Sequence, residues 1–158
     1  VDPPWWDEPG VVPDVMLGKR STRLDLREAE QRERFAELLA GADILVHGYR
    51  PGALDSLDLG EAMRHDLAPG LIEVTLDAYG WAGPLAGRRG FDSLVQMSTG
   101  IADAGMRLLG RDVPTPLPVQ ALDHATGYLM ARAAIVALTD RLRTGRARRQ
   151  PDRTDVHR

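Results

Sequence analysis

The chain has 158 residues, 43% of them hydrophobic and 27% charged, with a formal net charge of −3 and no cysteine. That length and balance suit one folded domain with a real core and argue against disorder. The slight acidity points to neither nucleic acid nor an anionic membrane as partner, and no apolar run has membrane-spanning length. Without cysteine, disulfides, thiolate metal sites and a cysteine nucleophile are excluded, and a reducing cytoplasm is the expected compartment.

In chain order, residues 1–19 carry Pro3, Pro4, Pro9, Pro13, Gly10 and Gly18 and read as loop. Residues 22–26 alternate polar and apolar side chains, the period of a strand. Residues 28–40 predict a helix, with acids early and Phe35, Leu38 and Leu39 on one face, stopped by Gly41. Residues 43–47 are nearly all apolar, as in a strand covered on both faces, and residues 48–52 form a turn. A short helix over 61–67 ends before Pro69 and Gly70, and residues 71–76 predict a third strand.

Beyond it, the glycines of residues 79–90 predict a loop, and residues 92–104 place Leu94, Val95, Met97 and Ile101 at helical spacing. A proline-bearing loop over 105–118 leads to the longest helix, residues 121–141. Met16, Met63, Met97, Met106 and Met130 are scattered, as core filler would be. His47 and His65 lack partners at metal-ligand spacing, so no metal is expected.

Strand and helix alternating with short connections imply an α/β fold, a Rossmann-like parallel sheet with flanking helices and right-handed crossovers. Ligands of such sheets sit beyond the carboxyl ends of the strands, here residues 47–52 and 77–83. The ends are unusual: Val1 opens the chain in place of Met, and residues 143–158 have little apolar content. Residues 1–145 are therefore expected to form one domain and residues 146–158 a disordered polar tail. An internal piece of a longer protein and an ordinary tail both fit these ends.

Six segments carry a resemblance, in order. They are Leu17-Gly18-Lys19-Arg20-Ser21 followed by Leu24-Asp25-Leu26; residues 42–52, Ala-Asp-Ile-Leu-Val-His-Gly-Tyr-Arg-Pro-Gly; Pro69 to Val74; Gly80-Trp81-Ala82-Gly83-Pro84; Arg89 to Gln96; and Asp123-His124-Ala125-Thr126-Gly127. Each is weak alone, but together, in this order and spacing, they resemble the family III (carnitine dehydratase/bile-acid-inducible protein F) CoA-transferases. The resemblance implies an internal portion of that family's large domain, an interlocked homodimer for the whole protein, and coenzyme A as a substrate with no permanently bound cofactor. Acyl-CoA and carboxylic acid would be the substrates.

The resemblance assigns the nucleophile to Asp123, whose carboxylate would form an anhydride and then an aspartyl-CoA thioester. Read without it, Asp123 is a helix N-cap with helical residues from His124. In either case the backbone N–H groups of a helix start are available to an oxyanion. By the same resemblance, Lys19 lies in a loop that the family sets near the CoA nucleotide, Tyr49 in place of a family Phe would pack against adenine, and Arg50 would be a phosphate ligand. Tyr79 matches an aromatic lining the active site. A solvated surface position is the plain alternative for Lys19, and a core aromatic that for Tyr49. His124 neighbours Asp123 but does not face it across a helix.

An α-methylacyl-CoA racemase is the nearest competing activity, but its base, a His before the Asp of a Gly-His-Asp segment, is Phe91 here, which carries no proton. A non-catalytic remnant is the reading of another class. A different nucleotide-binding family lacks support, since neither Gly-x-Gly-x-x-Gly nor a Walker A loop is present.

Overall fold

The structure, a computed structural model, describes residues 1–6, 9–10 and 12–145. The tail expected over 146–158 lies outside the described residues. A single turn, α1 (Val12–Val15), interrupts the opening loop. Residues 22–26 do not form the expected strand. One isolated parallel bridge joins Arg23 to Asp2, with Asp2 N–H donating to Thr22 O at 3.0 Å and Leu24 N–H donating to Asp2 O at 2.9 Å. Pro3 and Pro4 follow Asp2 and have no N–H with which to extend a ladder. The alternation still reports a real face, because Leu24 and Leu26 are both buried.

Helix α2 (Ala29–Ala40) leads through Gly41 into strand β1 (Ile44–His47). A 3-10 turn (Asp55–Leu57) and helix α3 (Glu61–Leu67) carry the chain to β2 (Ile72–Thr75), which pairs parallel with β1 in register Ile44↔Ile72 to His47↔Thr75. The period of two divides the sheet between two cores. Leu45 and Leu71 pack with Leu24, Leu26, Phe35, Leu39 and Leu59 on the α2–α3 side. Ile44, Ile72 and Val74 pack against Met130, Ala133, Ala134 and Ala137 on the other. The result is helix, sheet, helix: the parallel α/β layering expected, built on two strands.

The helix expected over 92–104 is two helices, α4 (Asp92–Ser98) and α5 (Ile101–Leu108). Gly100 separates them at φ 87°, a left-handed conformation that a side chain disfavours. Helix α5 also runs further than expected, and a Cβ on Gly105 would stand 2.1 Å from Thr115 O. This glycine lets the following loop lie directly on the helix, where Thr115 N–H donates to Ala102 O at 2.9 Å.

Helix α6 (Ala121–Thr144) is closed by Gly145 in the left-handed region, at φ 65°. It lies on the sheet through its alanines, and Arg141 anchors its end. The guanidinium donates to Gly70 O at 2.7 Å and pairs with the Asp43 carboxylate, touching the approaches to both strands. From Arg141 back to Asp123 the helix climbs about 27 Å at about 1.5 Å per residue. Four-residue strands advance only about 13 Å. The first turn of α6 therefore projects past the carboxyl ends of the strands. No helix among the described residues is long and apolar enough to cross a membrane.

Candidate functional site

Two features stand at the carboxyl-end side of the sheet. The first is a cavity of about 260 Å³ between the ends of β1 and β2, the loop after β1, and α3. His47, Tyr49, Arg50, Arg64, Glu73 and Trp81 are among its lining residues. Its floor is an ion pair: Arg64, only 6% exposed, grips Glu73 of β2 with Nε to Oε1 at 2.8 Å and Nη2 to Oε2 at 2.7 Å, and also donates to Leu59 O. This fork–fork geometry satisfies both charges away from water and locks α3 to the strand. The hydrogen bonds it donates to Glu73 raise the Arg64 pKa, so the guanidinium stays charged despite burial.

His47 closes β1. Its Nδ1 accepts from Tyr49 N–H at 3.2 Å, and its Nε2 is buried without a partner among the described residues. Burial lowers its pKa below 6.5, the positive charge of Arg64 lowers it further, and Glu73 opposes them in part. The ring is thus held neutral, with its proton on Nε2 because Nδ1 is an acceptor. The guanidinium of Arg50 makes no hydrogen bond or ion pair among the described residues and stands exposed beside the cavity.

The second feature is the start of α6. The helix begins at Ala121, so Asp123 is its third residue and not its cap. Gln120 occupies the cap position but its side chain contributes no hydrogen bond. The carboxylate that serves belongs to Asp92, the first residue of α4. Asp92 is 4% exposed, and it accepts from Asp123 N–H at 2.9 Å and from Leu122 N–H. These are the two amides that an N-cap side chain ordinarily satisfies.

Gln96, one turn further along α4 and 1% exposed, completes the cluster. Its Nε2 donates to Asp92 and, at 3.4 Å, to Val119 O, while its Oε1 accepts from Leu117 N–H at 2.7 Å. Burial by itself would raise the Asp92 pKa. The hydrogen bonds from Gln96, Asp123 and Leu122, with the nearby His124, outweigh it and hold the carboxyl below its ordinary value.

Of the residues expected from sequence to bind the nucleotide, Tyr49 and Arg50 meet in the cavity. Lys19, Tyr79 and Asp123 are not among its lining residues. Lys19 is exposed and its ammonium donates to Val15 O. Tyr79 turns toward α4: its hydroxyl meets Ser98 Oγ at 3.0 Å, and its ring lies 3.0 Å from where a Cβ on Gly90 would stand. Asp123 is exposed, with its side chain left without a hydrogen-bond partner among the described residues.

The amides expected to be open to an oxyanion are engaged. Ala121 N–H donates to Val119 O at 2.8 Å, His124 N–H to Gln120 O at 3.1 Å, and Asp92 takes the two between. Sequence reasoning missed Asp92 and Gln96 as partners of α6. Their spacing of four on α4 was legible, but nothing local shows a contact made across 31 positions.

A parallel α/β layer with glycine-rich loops at the strand ends defines the class; comparison with known proteins defines the family. A sequence model of CoA-transferase family III matches residues 4–149, and the chain belongs to that family. Rv3272 from Mycobacterium tuberculosis is 35% identical over 134 residues, which cover 81% of this chain and 32% of that protein. The succinyl-CoA–L-malate CoA-transferase beta subunit of Chloroflexus aurantiacus is 34% identical over 128 residues, covering 81% of this chain and 31% of its own length. The orthorhombic crystal structure of Rv3272 superposes with a TM-score of 0.72 at 32% identity, over 83% of this chain and 36% of that one. A CAIB/BAIF family protein from Brucella suis gives a TM-score of 0.70 at 31% identity, over 83% of this chain and 34% of that one. The chain spans about a third of the length of the curated relatives it matches.

Proposed function

We propose that the protein carrying this chain moves coenzyme A from an acyl-CoA donor to a carboxylic acid acceptor, with Asp123 as nucleophile. The observation that carries this reading is an exposed carboxylate on the first turn of α6, beyond the strand ends, on a backbone pinned by buried Asp92 and Gln96. In the proposed sequence the Asp123 carboxylate attacks the thioester carbonyl, forming a mixed anhydride and expelling CoA thiolate. The thiolate attacks the aspartyl carbonyl, breaking the anhydride and releasing the donor acid. The acceptor carboxylate then attacks the aspartyl-CoA thioester, and the thiolate released takes the acceptor's acyl group, restoring Asp123. Because the amides of the first turn are engaged, oxyanion charge has to be met by groups outside that turn.

Tyr49 and Arg50 suit the base and phosphates of the nucleotide, one by stacking and one by charge-assisted hydrogen bonding. Lys19 and Tyr79 are assigned to CoA by resemblance alone. An interlocked homodimer and a cytoplasmic setting belong to the same reading.

The test is Asp123→Asn in the full-length protein. Asparagine matches the shape and lies in a helix capped by another residue, so folding should persist. Transfer should fall by several orders of magnitude, and intact mass should show no CoA adduct after incubation with acyl-CoA. Near-normal turnover would place the nucleophile elsewhere.

A further inference from the structure

We propose that Asp92 and Gln96 are positioning residues for Asp123: a remote cap and its brace, which set where the nucleophile's carboxylate stands. The inference rests on the assignment of Asp123 as nucleophile. It is carried by the geometry, because a helix start ordinarily caps its own amides with a side chain two or three residues before them, whereas here the cap lies on another helix.

The arrangement fixes more than stability requires. The Asp92 carboxylate holds the amide of Asp123 itself at 2.9 Å and that of Leu122 beside it, so the Cα that bears the nucleophile is tied directly to α4. Gln96 fixes the orientation of that carboxylate from below. With its other end it accepts from Leu117 N–H at 2.7 Å, so the loop entering α6 is registered against the same two side chains. Both are nearly inaccessible, at 4% and 1% exposure, and neither faces the cavity. A buried pair whose side-chain bonds go to each other, to the loop entering α6 and to the helix start itself has that start's position as its output. Misplacing a reacting group by about 1 Å costs on the order of 100-fold in rate.

Four variants of the full-length protein test this, with Asp123→Asn alongside: Asp92→Ala, Asp92→Asn, Gln96→Glu, and the exchange Asp92→Asn with Gln96→Glu. The exchange restores a carboxylate, an amide and a donor between them, with the charge moved one helical turn. The measurements are single-turnover formation of the CoA adduct by mass, and kcat and KM for acyl-CoA. Asp92→Ala is expected to slow adduct formation and kcat by about 10- to 100-fold while KM changes less than about threefold. Asp92→Asn should fall between Ala and the parent, and the exchange should recover most of the rate lost in either single variant.

Adduct formation at the parental rate in folded Asp92→Ala, or in the exchange variant and both its singles, overturns the inference while leaving Asp123 in place. A loss carried by KM also overturns it. An Asp92→Ala protein that fails to fold leaves the decision to the Asn variant and the exchange. Turnover surviving in Asp123→Asn removes the nucleophile itself, and this inference with it.

Discussion

Asp92 shows how a side chain legible in sequence can serve an element that the sequence does not reveal. Its place after Phe91 and before an apolar helical pattern marks it as a helix starter, which it is; its carboxylate, however, serves another helix. Asp123 likewise reads as a cap because Asp is a favoured cap residue, but the helix begins two residues earlier and its cap is supplied from outside. Local chemistry names the residue types a helix start needs and cannot say which element donates them. His47 gives a prediction at this scale. Since the folded state holds its pKa below 6.5, the stability that neutral His47 contributes is intact above that pH and is lost as the pH falls from there through the lower folded pKa. In urea titrations at pH 7 and about pH 5.5, the parent should lose more stability on acidification than His47→Gln. Equal losses would mean that the ring protonates freely in the fold.

Among the elements, α3 over 61–67 and the two parallel strands were readable almost to the residue, because Pro69, Gly70 and the glycines of 48–52 punctuate them. The failures have separate causes. Residues 22–26 have the period of a strand, but Pro3 and Pro4 stop their pairing with Asp2 at a single bridge. The pattern over 92–104 is helical throughout, since the left-handed Gly100 turns the chain without disturbing the spacing of apolar residues. The contact joining α3 to β2 is equally hidden from sequence, with Arg64 nine positions from Glu73. Arg64→Leu would strand the Glu73 charge in a site 13% exposed and is expected to cost about 3–5 kcal/mol. The double variant Arg64→Leu/Glu73→Leu should cost less than Arg64→Leu alone. Chemical denaturation of the three proteins checks this, and a double variant as unstable as the sum of its singles would show that the pair is not coupled.

For the molecule as a whole, the fold class followed from alternation alone, while the extent of the sheet did not, because the number of strands depends on which segments find partners. Two strands leave much apolar surface uncovered. On α6, Tyr128, Ile135 and Leu142 recur every seven residues, at 80%, 65% and 76% exposure, on the side away from the sheet. Phe91 and Leu108 are also exposed. Large exposed apolar side chains grouped along one helix are a common mark of a surface that another surface covers. The 158-residue chain alone is expected to bind a hydrophobic dye, to sediment as species heavier than a monomer, and to show no transferase activity. A compact, stable monomer in sedimentation would contradict the expectation, and replacing Tyr128, Ile135 and Leu142 with polar residues should reduce the association.

The loop between α5 and α6 is sewn to the helices beneath it by Thr115 to Ala102 and by Leu117 and Val119 to Gln96, and the helix start that follows is fastened by Asp123 to Asp92. The stitches divide it into two regimes of tolerance to length. At its tip, residues 112–114, extra residues only enlarge a closed loop, and each doubling of loop length costs about 0.6 kcal/mol. Between Thr115 and Asp123 the backbone is a ruler. One residue more or fewer there would shift the first turn of α6 out of register with its fastening, and within the helical part each residue turns the chain by about 100°. Natural drift in length should therefore collect at the tip and be absent from the stitched stretch.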